Sequence, residues 1–229
     1  QDRLGTFMNS TALNSIFGVD LVLFLAPANE KIGRGDKYII ERLKEADGPV
    51  FLLLNKCDLV SKDEVIKKLT EWKELFDFKE IIPISALCKF NIDTVLNRIK
   101  ELLPDSPPYF GKDQWTDKPA RFFVTEIIRE KILLYYDKEI PYSVEVVVEQ
   151  FKEEAKSIHI NVVIYVERDS QKGIIIGHRG VALKKVSTEA RKSLEKFFGK
   201  SIYLETFVKV DKDWRSSERA LKSFGYNLD

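Results

Sequence analysis

The strongest constraint on the fold is a set of short apolar segments in the first hundred residues. Residues 20–26 (DLVLFLA), 49–54 (PVFLLL) and 80–86 (EIIPISA) are apolar on both faces, which is typical of buried strands in a parallel sheet. Amphipathic stretches separate and follow these segments, at 36–46, 62–76 and 91–102. This alternation predicts an α/β domain built on a doubly wound sheet. Ser61 is a candidate N-cap for the second amphipathic stretch.

A change of composition divides the chain after this region. Residues 103–119 contain four of the chain's eight prolines, which indicates a linker. The pattern beyond it predicts an α+β domain with a helix, two strands, a short apolar turn or helix, a basic helix, a strand and a final helix: 120–136, 142–151, 159–168, 173–176, 181–198, 201–210 and 213–226. We therefore predict an α/β domain over residues 1–103, a linker over 104–118 and an α+β domain over 119–229.

Charge and cysteine content narrow the class of protein. The formal net charge is +1, but residues 168–200 contain nine Lys or Arg against three acids, a local surplus of six. Two cysteines, Cys57 and Cys88, do not make a disulfide framework, and no Cys or His cluster has metal-ligand spacing. No apolar run is long enough to span a bilayer, and no signal peptide opens the chain. We therefore expect a soluble protein of a reducing, cytosolic compartment.

Polar residues follow two of the apolar segments at the point where each ends. The sequence NKCD at 55–58 comes after one segment, and SAL at 85–87 closes the next. Open α/β sheets bind ligands beyond the carboxyl ends of their strands, so these two loops should converge on one site. The candidate binding residues are Asn55, Lys56, Asp58, Ser85, Ala86 and Leu87.

The residue types in these loops favour guanine as the ligand. The Asp58 carboxylate can accept two parallel hydrogen bonds, from N1–H and the exocyclic amine of the base. Asn55 can face another edge of the base and hold the neighbouring loop, and the Lys56 stem can lie over the base plane. The backbone N–H of Ala86 is expected to be free to meet the guanine carbonyl. Taken alone, NKCD could equally be a turn that ends a strand.

We find no residues in the sequence that can be assigned to binding the phosphates of a nucleotide. A phosphate-binding loop has the pattern GxxxxGKS or GxxxxGKT between a strand and a helix. The GKS at 199–201 has Leu194 where the first glycine belongs, and it runs from a helix to a strand. The DRLG at 2–5 fits a DxxG metal-site pattern, but no strand precedes it. We predict neither catalytic nor metal-binding residues in these 229 residues.

A second unusual loop, GHRG at 177–180, precedes the basic helix. Two glycines three residues apart allow a tight turn and let a sugar–phosphate backbone approach closely. The N–H groups that open the next helix would then face a phosphate. A GxxG loop of this kind clamps about four nucleotides in KH domains, although a plain helix corner with a glycine cap is the alternative. The candidate RNA-binding residues are Lys172, Ile174, Ile176, Gly177, His178, Arg179, Gly180, Lys184 and Lys185, with the two isoleucines as the floor of a base groove.

Several longer strings resemble one family. NKCD and SAL resemble the last two nucleotide motifs of the translation-factor-related small GTPases. Together with four strings in the second half and one at the start, they resemble the Era family, bacterial GTPases with a C-terminal KH domain. These strings lie at 115–133, 140–149, 166–180, 203–226 and 4–16. The last resembles the helix that follows the family's DxxG motif, and His178 is unusual for the loop, which leaves phosphate contact to Arg179.

The resemblance implies a P-loop-GTPase-type sheet, incomplete at the amino terminus, followed by a type II KH domain. It implies binding of GTP or GDP, with Mg²⁺ held by residues upstream of Gln1, so that we expect a truncated chain. It further implies binding of the 3′ end of small-subunit ribosomal RNA, maturation of the 30S subunit with GTP hydrolysis as the switch, a monomeric state, and a cytoplasmic location with peripheral association to the inner face of the cell membrane. The alternatives are a non-catalytic KH scaffold with a relic guanine site and a double-GTPase assembly factor with a KH-like tail.

Overall fold

The structure is a computed structural model that describes residues 2–107, 116 and 118–226. These residues divide into two units: residues 7–107 form the amino-terminal unit, and residues from 116 onward, with residues 2–6, form the carboxyl-terminal unit. Most of the predicted linker, at 108–115 and 117, lies outside the described residues.

The amino-terminal unit contains a three-stranded parallel sheet with helices on both faces. Its elements are α1 (Arg3–Asn14, which begins in the other unit), β1 (Val22–Pro27), α2 (Arg34–Leu43), β2 (Val50–Asn55), α3 (Lys62–Lys73), β3 (Glu80–Pro83) and α4 (Ile92–Leu102). The strand order is β1-β2-β3, with both pairs parallel. This arrangement confirms the predicted doubly wound α/β architecture. The predicted cap of α3 is also confirmed, since Ser61 and Glu64 form a capping box.

The central strand β2 supports this unit because it is buried on both faces. Leu52 and Leu54 pack into the cluster that contains residues of α2 and α3, and Phe51 and Leu53 pack into the cluster that contains Val95 of α4. Each fully buried side chain of this size contributes about 1.5–3 kcal/mol. The packing therefore holds the end of β2, where NKCD begins, in a fixed position.

The third strand is shorter than the sequence predicts. We expected a strand over 80–86, but β3 ends at Pro83. The chain then turns, because the Ile84 carbonyl accepts the N–H of Cys57 and Ser85 forms an isolated antiparallel bridge with Phe90. Residues 84–87 therefore belong to the loop and not to the strand.

The carboxyl-terminal unit is an α+β domain in which a layer of helices packs on one sheet. Its elements are α5 (Ala120–Tyr135), β4 (Val144–Glu153), β5 (Ser157–Val166), α6 (Asp169–Ile176), α7 (Val181–Phe198), β6 (Ser201–Val210) and α8 (Glu218–Ser223). The sheet has the order β4-β5-β6, with β4–β5 antiparallel and β5–β6 parallel. The predicted order of helices and strands is confirmed, and the predicted bounds of α7 and β6 match those observed.

One face of this mixed sheet is covered by α5, α6 and α7. Every second residue of β5, from Ile158 to Val166, is almost fully buried beneath these helices, beside Ile128 of α5 and Leu194 of α7. Residues 2–6 pack elsewhere in the unit, where Leu4 joins a small cluster around Trp214. Among the described residues, no helix combines the length and apolar character needed to cross a membrane.

Candidate guanine and RNA sites

The two loops predicted to form the guanine site meet through Asn55. Its Oδ1 accepts the backbone N–H of Lys56 at 2.8 Å and that of Ala86 at 3.0 Å. The Cys57 N–H donates to the Ile84 carbonyl at 3.1 Å. The bonds to Ala86 and Ile84 join NKCD to SAL and the residue before it at the carboxyl edge of the parallel sheet. The prediction that Asn55 holds the neighbouring loop is therefore confirmed.

The same geometry corrects the prediction for Ala86. Its N–H is not free, because it donates to Asn55 Oδ1. A guanine carbonyl could reach this N–H only if it shared the donor with Asn55 or displaced it. Sequence reasoning missed this because the Asn55 side chain and the Ala86 N–H are 31 residues apart and meet only in the folded sheet.

The Asp58 carboxylate is the free group of this site. It lies in a short 3₁₀ turn (Cys57–Leu59), is exposed, and has no hydrogen-bond or ion-pair partner among the described residues. An exposed, unpaired carboxylate can accept two donors from a ligand without first breaking an internal bond. It borders one groove together with Ser85, so the structure places the two side chains around a common space.

Lys56 occupies an unusual backbone conformation beside Asp58. Its φ of 64° and ψ of 31° lie in the left-handed region, which is rare for a residue with a side chain. Such strain costs about 1 kcal/mol and is often found at functional positions. The Lys56 ammonium lies 4.0 Å from the Glu30 carboxylate, in the loop after β1, and both side chains are exposed. The stem is thus accessible, as base packing would require.

The other two residues of SAL differ in environment. Ser85 is 1% exposed, and its hydroxyl accepts the Cys88 N–H at 3.1 Å, so it closes the 85–90 loop. Leu87 is 87% exposed. Ser85 therefore supports the loop from within, whereas Leu87 is available to a ligand. Guanine binding by either residue stays a prediction.

The groove that Asp58 and Ser85 border is otherwise mostly apolar. It has a volume of about 520 Å³ and runs along α3. Its apolar lining consists of Val60, Val65, Ile66, Leu69, Pro83 and Phe90. Cys57 also lines it, and burial raises the pKa of this thiol, which donates to the Leu54 carbonyl at 3.1 Å. The thiol is therefore not a reactive thiolate near neutral pH.

The described residues provide no evident place for a metal ion. No group of three or more His, Cys, Asp or Glu side chains among them could hold one. The Asp2 carboxylate of DRLG accepts the Gly5 N–H at 2.7 Å and pairs with Arg215 at 3.0 Å. Asp2 therefore caps the start of α1, and both of its carboxylate oxygens have protein partners.

The GHRG loop forms a tight corner between α6 and α7. Gly177 (φ 71°, ψ 176°), Arg179 (φ 51°, ψ 28°) and Gly180 (φ 77°, ψ 8°) all have positive φ. A Cβ added at Gly177 would lie 2.6 Å from the Ala182 Cβ, whereas one at Gly180 would meet nothing within 4 Å. Close packing of the corner on α7 thus requires glycine at 177 specifically.

This corner exposes groups that suit a phosphate. Among the described residues no side chain caps the amino end of α7, although its first N–H, that of Val181, donates to the His178 carbonyl. His178 and Arg179 are exposed at the tip. Among the described residues, Lys172, Arg179 and Lys184 have no carboxylate partner. Farther along α7, Arg191 and Lys192 do pair, with Glu195 and Glu189.

A groove between α7 and β6 extends from the corner. Its volume is about 310 Å³, and its lining residues are Gly180, Leu183, Lys184, Ser187, Thr188, Arg191, Leu204 and Thr206. Only Gly180 and Lys184 were predicted from the sequence. The others were missed because the groove depends on β6 being an edge strand beside α7, which local patterns do not reveal.

The apolar floor of this groove differs from our expectation. Leu183 and Leu204 line it, whereas Ile174 is exposed on α6 and Ile176 packs against the core. The two isoleucines do not line this groove, and their contact with a base stays a prediction. The structure also separates two predicted lysines: Lys184 faces the groove, while Lys185 lies over the ring of Tyr135 on α5.

Comparisons with known proteins agree with both halves of this description. A family model described as KH domain matches residues 139–215. The structure superposes with a TM-score of 0.90 on Era from Aquifex aeolicus bound to GDP·AlF4⁻, at 35% identity, covering 98% of this chain and 77% of that one. It also superposes, with a TM-score of 0.90 and 34% identity, on Era in complex with MgGDPNP and nucleotides 1506–1542 of 16S ribosomal RNA, covering 98% and 76% of the two chains.

The identity, the coverage and the order of the two folds agree with one another. The parallel sheet ending in NKCD and SAL corresponds to part of a GTPase-type domain, and the α+β unit with its GxxG corner is the KH domain. This chain belongs to the Era family of GTPases with a carboxyl-terminal KH domain.

Proposed function

We propose that this chain binds a guanine nucleotide through NKCD and SAL and single-stranded RNA through its GxxG corner. The observation that carries the proposal is common to both sites: each exposes a recognition group that the fold leaves without a partner. Among the described residues, these groups are the Asp58 carboxylate and the Arg179 guanidinium. Both suit ligands that supply the missing donors or acceptors.

Guanine suits the first site because its donors match the free carboxylate. Its N1–H and exocyclic amine would both donate to Asp58, and hydrogen bonds to a charged group contribute about 1.5–3 kcal/mol each. Adenine has an acceptor where guanine has N1–H, so it would leave Asp58 poorly satisfied. The exposed stem of Lys56 would cover one face of the base. We assign this chain recognition of the base, because its sequence contains no GxxxxGKS or GxxxxGKT loop for the phosphates.

Single-stranded RNA suits the second site because the corner and the groove are continuous. One phosphate would sit at the amino end of α7, near Arg179. Lys184 and Lys172 would neutralise neighbouring phosphates. Bases would enter the groove against Leu183 and Leu204. Among the described strands β6 pairs with β5 alone, so it presents backbone groups on its other edge.

The family relatives support a more specific role. One Era structure contains MgGDPNP and nucleotides 1506–1542 of 16S ribosomal RNA. We propose that the RNA partner is the 3′ end of small-subunit ribosomal RNA, that the role is maturation of the 30S subunit in the cytoplasm or at the inner membrane face, and that GTP hydrolysis by the intact protein is the switch. GTP or GDP would be the nucleotide, with Mg²⁺ held by residues other than those described.

A second candidate function is a non-catalytic RNA-binding scaffold in which the guanine site is a relic. The sequence has no phosphate loop, and the Ala86 N–H is already bonded to Asn55. Both observations would reduce nucleotide affinity. This candidate differs from the first only at the guanine site, so one titration separates them.

The test is a pair of titrations on the full 229-residue chain. Fluorescent GDP and ADP would be compared by anisotropy, together with a labelled RNA that corresponds to nucleotides 1506–1542. We expect GDP to bind more tightly than ADP, and Arg179→Glu to weaken RNA binding at least tenfold without changing GDP affinity. Equal affinity for GDP and ADP would contradict base recognition, and undetectable binding of both nucleotides would favour the scaffold. An unchanged RNA affinity in Arg179→Glu would contradict the GxxG assignment.

A further inference from the structure

The side of α7 that faces α5 carries a second exposed, cationic feature near the GxxG corner. Tyr135 is the last residue of α5 and is 38% exposed. The Lys185 ammonium lies 4.2 Å from the centroid of its ring. Lys185 follows Gly180 by five residues, which places it roughly 7.5 Å along the helix from the corner. The pair is therefore close to the proposed RNA site but outside its groove.

The position of Tyr135 is held firmly. The next residue, Tyr136, is buried and donates its hydroxyl to the Ile175 carbonyl at 2.7 Å. Ile175 lies two residues before Gly177, so the end of α5 is tied to the end of α6. An anchored backbone reduces the entropy that the neighbouring Tyr135 loses when a ligand stacks on its ring.

The two adjacent lysines of α7 point to different surfaces. Residues one position apart on a helix are separated by about 100°. Lys184 lines the groove between α7 and β6, and Lys185 turns toward α5. Glu189, four residues on, interacts electrostatically with Lys185 but forms its hydrogen-bonded ion pair with Lys192, at 2.8 Å. Lys185 therefore has no hydrogen-bonded acid among the described residues, and its ammonium is available to an anion.

We propose that Tyr135 and Lys185 form an additional nucleotide-binding position for the single-stranded RNA that continues past the GxxG corner. A base would stack on the tyrosine ring, and the Lys185 ammonium would move from the ring to the adjoining phosphate. Exposed aromatic rings beside unpaired cations suit nucleotides because they satisfy the base and the phosphate together. The inference rests on the RNA-binding function proposed above, and it extends the interface across α7 from β6 to α5.

The experiment compares a short and a long RNA on the full chain. A tetranucleotide fills the GxxG corner alone, whereas a twelve-nucleotide RNA extends beyond it on both sides. We expect Tyr135→Ala to lower the affinity for the long RNA about tenfold and to leave the tetranucleotide affinity unchanged. Tyr135→Phe keeps the ring and should bind both RNAs as the wild type does. Lys185→Gln should weaken the long RNA and reduce the salt dependence of its binding by about one phosphate contact.

A matched control is Tyr203→Ala. Tyr203 is 59% exposed and also stacks on a neighbour, His159, but it lies on the sheet face opposite the helices. The Tyr203→Ala variant should bind both RNAs with the affinity of the wild type. Equal affinity of Tyr135→Ala and the wild type for the long RNA would overturn the inference and leave the GxxG proposal intact. Loss of the tetranucleotide as well would show that Tyr135 acts by holding the corner, which also overturns it. Failure of the wild type to bind either RNA would overturn the proposed function itself.

Discussion

The NKCD loop and the GHRG corner are similar in position but differ in the contacts that stabilise them. Each follows a well-packed element, and each contains one non-glycine residue with positive φ, Lys56 at 64° and Arg179 at 51°. In both, the strained residue lies beside the group proposed to recognise the ligand. Strain of this kind persists only where the surroundings determine the backbone.

The surroundings of the two loops differ in kind. The NKCD loop is fastened by a side chain, because Asn55 Oδ1 accepts N–H groups from its own loop and from SAL. In the part of the chain that the structure describes, the GHRG corner has no such side-chain bond, and it depends on the missing Cβ of Gly177 against Ala182. The guanine site should therefore be sensitive to the chemistry of side chains, and the RNA corner to the addition of a single carbon atom.

The largest expected effect tests side-chain chemistry at the guanine site. Asp58→Asn replaces an acceptor with a partial donor, which opposes the N1–H of guanine and suits the carbonyl of xanthine. We expect the ratio of guanine to xanthine nucleotide affinity to fall at least 100-fold. Competition between GDP and xanthosine diphosphate would measure it. Asp63→Asn, an exposed residue of the first turn of α3, makes the same charge change nearby and should leave the ratio unchanged. An unchanged ratio in Asp58→Asn would show that this carboxylate does not read the base.

The next effect tests the backbone requirement of the RNA corner. Gly177→Ala places a Cβ 2.6 Å from the Ala182 Cβ at a φ of 71°, and should destabilise the KH domain by about 2–4 kcal/mol. Gly180→Ala meets no neighbour and should cost only about 1 kcal/mol. Hydrogen exchange of β5 amides reports the stability of this domain, and anisotropy reports RNA affinity. Equal effects of the two substitutions would contradict the proposed clash and leave only the common φ penalty.

The two sites also differ in how far they could be predicted from sequence. The bounds of α7 are confirmed because glycines with positive φ, Gly180 and Gly199, mark both of its ends. NKCD and SAL were expected to meet because parallel strands end at one edge of a sheet. The predicted end of β3 was wrong because the Ile84 carbonyl bonds to Cys57, which is distant in sequence, and Ser85 bonds to Phe90 to close a loop. Local patterns carry no information about such partners.

The RNA groove shows the same limit more clearly. GHRG and the lysines after it could be predicted from the sequence because they are contiguous. Thr206 and Leu204 line the groove only because β6 lies beside α7. The alternation of β6 predicts which side chains face the helices, but it does not predict that β6 lies at the sheet edge. The part of the RNA site that one contiguous segment forms was therefore predicted, and the part that β6 contributes was not.

A smaller effect distinguishes two possible roles of Asn55, which are to hold the neighbouring loop and to contact the base. Asn55→Ala removes the acceptor for Lys56 and Ala86, and should speed exchange of the Ala86 amide and lower guanine affinity about tenfold. Asn55→Asp keeps an acceptor of the same shape but loses the amide donor. It should retain the slow Ala86 exchange and lose affinity only if the Asn55 amide contacts the base. Fast Ala86 exchange in Asn55→Asp would contradict the loop-holding geometry.

The smallest effect tests Tyr136, whose side chain bonds to the end of α6, just before the GHRG corner. Burial raises the pKa of Tyr136 to about 12, and its hydroxyl donates to the Ile175 carbonyl. Because the folded value exceeds the unfolded value of about 10, this tyrosine's contribution is complete below pH 10 and is lost as pH rises from 10 to 12.

Tyr136→Phe should therefore lower stability by about 1 kcal/mol at pH 7, through the lost hydrogen bond. Between pH 9 and pH 11 the free energy of unfolding of the wild type should fall by about 1.4 kcal/mol more than that of Tyr136→Phe. The two stability curves should therefore converge near pH 11. Denaturant unfolding at several pH values measures this, with Tyr203→Phe, an exposed tyrosine, following the wild-type profile. Parallel curves for Tyr136→Phe and the wild type would mean that the Tyr136 hydroxyl is not sequestered, and that glycine packing alone maintains the corner.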